Sequence, residues 1–104
     1  MSRNASLAIY TREQRPITGE KEIAEFPLGG SSFSDSIMEE MGITPAQFHD
    51  ANYWIDRTMS PSDVFALIDG HPRWFGMDEV LKNKHNLESK YDKPEYVWVI
   101  EING

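Results

Sequence analysis

Leu7 and Ile9 alternate with Ala8 and Tyr10, and this period of two predicts a strand over residues 5–11. Arg12 to Arg15, Pro16 and Gly19 then read as a turn. A second strand follows over residues 22–28 with Ala24, Phe26 and Leu28 on its inner face, so the two form a hairpin. Pro27 has no amide hydrogen to give to a ladder, which places this second strand at a sheet edge or ends it there.

The spacing changes after Gly29-Gly30-Ser31-Ser32. Phe33, Ile37, Met38 and Met41 recur as one face of a helix, with Ser32 or Ser34 as its N-cap and Gly42 as the left-handed residue that ends it. The sharpest boundary comes next. Thr44 is placed as N-cap, Pro45 as first helical residue and Gln47 as reciprocal capping partner, while Ile43 and Phe48 form a hydrophobic staple. Phe48, Ala51, Asn52, Ile55 and Met59 continue as one helical face, which leaves His49, Asp50, Tyr53, Asp56 and Arg57 largely on the other. The same grammar returns at Met59-Ser60-Pro61, with Asp63 at the third position and Val64 as staple partner. Val64, Phe65, Leu67 and Ile68 bury this third helix, and Gly70 closes it.

Asp78 is placed to cap a fourth helix carrying Val80, Leu81, Leu87 and Tyr91, with Lys82, Lys84 and Lys90 towards its C-terminal part. Residues 96–102 then form the most apolar strand, aromatic and β-branched on both faces, which belongs in the middle of a sheet beside the first strand. The pattern predicts an α+β fold. A small antiparallel sheet, the N-terminal hairpin plus the C-terminal strand, is covered on one face by about four short helices in the order ββααααβ.

Length and composition narrow this little further. A chain of 104 residues is expected to form a single domain over 1–104, and 39% apolar with 12% aromatic residues is enough to close its core. No apolar run approaches the roughly 18 to 20 residues that span a bilayer, and Met1-Ser2-Arg3-Asn4 does not begin a signal peptide, so no membrane association is expected. With no cysteine there are no disulfides and no thiolate metal ligands, which fits a reducing cytoplasm.

Charge changes the picture more. The net charge is −7, and residues 20–79 hold twelve Asp or Glu against Lys21, Arg57 and Arg73. Acidity of this kind aids solubility in any case. It also repels phosphate backbones and attracts basic surfaces, so direct nucleic-acid binding is not expected.

Candidate chemistry is sparse. His49, His71 and His85 match no metal-ligand spacing, and Asp63 and Asp69 are accounted for by the ends of the third helix. Gly29-Gly30-Ser31-Ser32 lacks the lysine and spacing of a phosphate loop, and there is no G-x-S-x-G elbow. No catalytic residue, metal or cofactor is assigned. Two stretches point instead to recognition. The loop His71-Pro72-Arg73-Trp74-Phe75-Gly76 carries residue types enriched where proteins bury partners, although Trp74 and Phe75 also suit a lid on the core. Asp50, Tyr53 and Arg57, with Asp56 beside them, would share an outward helical stripe, an aromatic anchor amid charge that suits a basic protein surface.

No known family matches residue by residue. The expectation is a non-enzymatic acidic module that inhibits or neutralises a basic, nucleic-acid-binding protein, nuclease or nucleoprotein complex. Phage-encoded inhibitors of host defence complexes and immunity proteins share that profile. Its candidate partner-binding residues are Asp50, Tyr53, Asp56, Arg57, Glu39, Glu40, His71, Arg73 and Trp74. The alternative is a small adaptor or structural subunit that assembles, with itself as a homodimer or with others, through its sheet edge or aromatic loop.

Overall fold

A computed structural model describes residues 3–12, 22–70 and 75–104, with the side chains of residues 31–33 and 75–78 outside the description. Within these residues four strands form one antiparallel sheet: β1 (Asn4–Thr11), β2 (Ala24–Gly29), β3 (Trp54–Met59) and β4 (Tyr96–Asn103), in the order β2-β1-β4-β3. Among the described residues five helices intervene: α1 (Ser31–Glu40) and α2 (Pro45–Asp50) before β3, then α3 (Pro61–Asp69), α4 (Phe75–Lys82) and α5 (Lys84–Tyr91) before β4. The class is α+β, as the hydrophobic pattern requires.

β1 and β4 are the two central strands, paired over eight residues from Asn4↔Asn103 to Thr11↔Tyr96. That position follows from their apolar residues on both faces. Leu7, Ile9, Trp98, Ile100 and Ile102 point to the helical side and are buried with Ile37, Phe48, Val64, Phe65, Ile68, Val80 and Leu87. Ala8, Tyr10, Val97 and Val99 form a second buried cluster on the opposite face. β2, with Pro27 inside it, is an edge strand, and the pairing shifts register between Ala5 and Ser6. The turn expected at Pro16 to Gly19 lies outside the described residues. Among the described residues, no helix is long and apolar enough to cross a membrane.

Helix ends follow local chemistry closely. α1 closes in a Schellman motif: Ile43 N–H donates to the Met38 carbonyl at 2.8 Å, Gly42 N–H donates to the Glu39 carbonyl at 3.1 Å, and Gly42 has φ 72°. Two residues on, Thr44 Oγ1 accepts from Gln47 N–H at 3.1 Å and Gln47 Oε1 accepts from Thr44 N–H at 2.8 Å, completing the capping box. Ser60 Oγ accepts from Asp63 N–H at 3.2 Å and starts α3 in the same way. Thr44→Ala and Ser60→Ala are each expected to lower stability by about 1 kcal/mol, the usual cost of a lost cap, and thermal melts will read this directly.

Four sequence expectations need correction. The helix that begins at Pro45 does not run to Met59. It ends at Asp50 in a second Schellman motif, with Tyr53 N–H on the Phe48 carbonyl and Asn52 N–H on the His49 carbonyl, each at 3.0 Å. Asn52 takes the left-handed place that Gly42 takes in α1, with φ 56°, and asparagine tolerates that conformation better than most residues. Trp54–Met59 is then a fourth strand. Ile55, Arg57 and Met59 sit opposite Ile102, Ile100 and Trp98, and pairing with the most apolar strand in the chain overrides a helical spacing that Ile55 and Met59 satisfy equally well.

The second correction concerns α1, whose N-cap is Gly30 with no side-chain cap. The Ser34 hydroxyl instead donates to the Gly30 carbonyl at 2.9 Å within the helix. Third, α4 begins at Phe75, so Asp78 lies inside it rather than at its cap. Fourth, the last helical stretch is two helices, with Asn83 between them and its Nδ2 donating to the Glu79 carbonyl at 2.8 Å.

Candidate functional site

At the end of the sheet where β1 and β3 begin and β4 finishes, α1 and α2 close over Arg3 and leave a groove of about 500 Å³. Its floor is apolar, from Met38, Ile43 and Pro45. Asp35, Glu39 and Arg3 line it with charge. A smaller hollow of about 230 Å³ shares Arg3 and Pro45 and continues to Phe48, Tyr53 and Gly104. The two are therefore one concave surface with Arg3 in the middle. Arg3 Nη1 lies 3.3 Å from Asp35 Oδ1, and its guanidinium carbon is 5.9 Å from the centre of the Phe48 ring.

The turn that forms the far wall is strained. Tyr53 follows Asn52 in the left-handed region with φ 60°, which is unusual for a bulky side chain. Three contacts hold it. Its carbonyl accepts from Gly104 N–H at 3.0 Å, and its ring stands edge-on to Phe48 and His49 at centroid distances of 5.7 and 5.3 Å. His49 in turn lies 3.6 Å from Asp50 Oδ1. Glu39, Glu40, Asp50 and Asp35 are all exposed, and Trp54, beside this turn, is 45% exposed. Arg12 and Lys93 line a separate groove at the other end of the sheet.

The structure thus brings together some of the residues singled out from sequence and disperses others. Glu39 and Tyr53 line the same concave surface, Glu40 follows Glu39 on α1, and Asp50 lies beside His49, whose ring packs on Tyr53. The outward helical stripe of Asp50, Tyr53, Asp56 and Arg57 does not exist, because the chain turns at Asn52 and extends from Trp54. Asp56 sits opposite Glu101 on the face away from the helices. Arg57 lies on the edge strand with its Nη1 donating to the Asp56 carbonyl at 2.9 Å. His71, Arg73 and Trp74 fall outside the described residues. Arg3, Asp35 and Pro45 were not singled out, since nothing in local sequence brings residue 3 beside residues 35 and 45.

A second polar arrangement crosses the sheet face opposite the described helices. Glu101 is 4% exposed and accepts from the Tyr10 hydroxyl at 2.9 Å. Burial pushes its carboxyl above the usual range, the Tyr10 hydrogen bond opposes this, and Glu25, Glu22 and Asp56 add repulsion. Glu25 is raised as well, by burial and by the hydrogen bond with and charge of Glu22, against the Ser6 hydroxyl. Burial and the neighbouring Glu101 raise Tyr10 beyond its ordinary value. Among the described residues, no group of three or more His, Asp or Glu is arranged to hold a metal ion.

Comparison with protein-family models, with curated proteins and with solved structures finds no match.

Proposed function

We propose that the protein is a non-enzymatic binding module that engages a basic, nucleic-acid-binding protein, a nuclease among them, and blocks it by presenting carboxylates where phosphates would sit. One observation carries the reading: Asp35 and Glu39 are exposed on a concave surface that has Tyr53 as an aromatic wall, and the exposed Glu40 and Asp50 follow Glu39 and His49 in the chain. Clustered charge of one sign steers a partner of the opposite sign, while a central aromatic supplies desolvated area that slows its release.

The test is kinetic. With a partner retained from a lysate and then purified, the triple variant Glu39→Lys, Glu40→Lys, Asp50→Lys should associate about tenfold more slowly than wild type at low salt, and raising the salt should narrow the gap. Equal association rates for the two proteins at low salt would sink this reading.

Assembly through the sheet edge is the second reading, and one observation favours it. β3 is an edge with neither proline nor bulge, and exposed Trp54 stands at its start. Contact of that kind would be nearly independent of salt, and sedimentation of wild type beside Trp54→Ser distinguishes it from charge-driven binding.

A further inference from the structure

We propose that the groove between α1 and α2 receives an arginine side chain from the basic partner, its stem lying on Met38, Ile43 and Pro45 and its guanidinium between Asp35 and Glu39. This rests on the reading above and gives the acidic surface a specific anchor point.

The first support is the groove's amphipathic construction. A floor of Met38, Ile43 and Pro45 beneath the carboxylates of Asp35 and Glu39 matches a side chain with an apolar stem and a charged head. Neither half alone would suit a purely apolar anchor or a small hydrated cation. The second support is Arg3, the chain's own arginine in this place. It lies against the same surface, pairs with Asp35 at 3.3 Å and faces the Phe48 ring, so carboxylate and aromatic already recognise a guanidinium here. The third is the further exposed carboxylates of Glu40, next to Glu39 in the chain, and Asp50 at the end of α2, which draw in positive charge and repel phosphate. Arginine fits better than lysine because its planar head bonds a carboxylate in two places and is more weakly hydrated.

The experiment is a two-dimensional NMR titration of the whole chain with a blocked octapeptide of alternating arginine and leucine. Two controls carry citrulline or glutamate in place of arginine, and a third arm uses spermidine. The arginine peptide should move the Met38, Gly42 and Ile43 resonances. Citrulline, which keeps the shape and loses the charge, should bind about tenfold more weakly, and the double variant Asp35→Asn, Glu39→Gln should show a similar loss for the arginine peptide. Glu95→Gln, exposed at the other end of the sheet, should change affinity less than about twofold.

Shifts at Glu40 and Asp50 with none at Met38 or Ile43 would overturn the groove and leave the wider acidic surface standing. No shift anywhere with the arginine peptide at low salt would overturn both. Citrulline binding equal to arginine, or spermidine moving the same resonances as strongly, would show that the groove does not select a protein guanidinium.

Discussion

Trp98→Ala is expected to lower stability by about 3 to 5 kcal/mol, the range for removing a large buried ring, which approaches the whole stability of a domain this small. Trp98 is 2% exposed on β4, one of the two central strands that pair on both sides. Its ring packs edge-on against Phe65 of α3 at 5.6 Å, and its indole N–H donates to the Tyr91 carbonyl at 3.0 Å. One side chain therefore ties the sheet to α3 and to the end of α5. Truncation opens a cavity and also leaves a backbone carbonyl without its donor. Trp98→Phe refills most of the volume and loses only the hydrogen bond, so its loss should be clearly smaller. Urea midpoints for the two variants will separate packing from polar satisfaction, and a midpoint for Trp98→Ala equal to that of wild type would contradict this account of the core.

Trp98 also illustrates what was legible in sequence. A strand filled on both faces has one sensible place in a sheet, and the staple, cap and proline around Thr44 fix a helix start without any tertiary information. Helix ends were harder. Gly42 announces its stop because glycine commonly takes the left-handed place, whereas Asn52 does the same work less conspicuously, and Ile55 and Met59 fit a period of 3.6 as well as a period of two. Only the pairing of Ile55 with Ile102 and Met59 with Trp98 decides between them, and that is a long-range fact.

The candidate site inherits the same limit. Its acidic members Glu39, Glu40 and Asp50 stand out as charged residues on predicted helices, and Tyr53 as an aromatic beside them. Arg3 and Asp35 meet across α1 and the start of β1, and no periodicity announces that meeting. Glu101 did offer a local signal. It is the one charged residue within Tyr96-Val97-Trp98-Val99-Ile100-Glu101-Ile102, and a carboxylate in such a strand needs a partner. The partner, Tyr10, lies on a strand whose alternation shows only that it faces away from Leu7 and Ile9.

That pair supports the second large effect, a pH-dependent one. Tyr10→Phe keeps the ring among Ala8, Val97 and Val99 but removes the donor from a buried carboxylate, and at neutral pH the loss should be about 1.5 to 3 kcal/mol, as for hydrogen bonds to charged groups. The sign of the pH dependence follows from Glu101. Its carboxyl is raised above the ordinary value of 4.5 in the folded protein, chiefly by burial. The folded state therefore holds its proton more tightly than the unfolded chain. Stability is fully present below the ordinary value and is lost as pH rises through the raised one. The Tyr10 hydrogen bond works against that loss, because it lowers the Glu101 carboxyl. Without the hydroxyl, stability should fall more steeply with rising pH, and the cost of Tyr10→Phe should shrink in acid, where Glu101 is protonated in both proteins. Glu101→Gln retains an acceptor for Tyr10 and removes the titration. It should flatten the profile, with the raised Glu25 leaving a residual slope of the same sign. Urea midpoints of the three proteins across the acid-to-neutral range make the comparison, and a Tyr10→Phe cost that does not change with pH would show that the Glu101 charge is not what the hydroxyl stabilises.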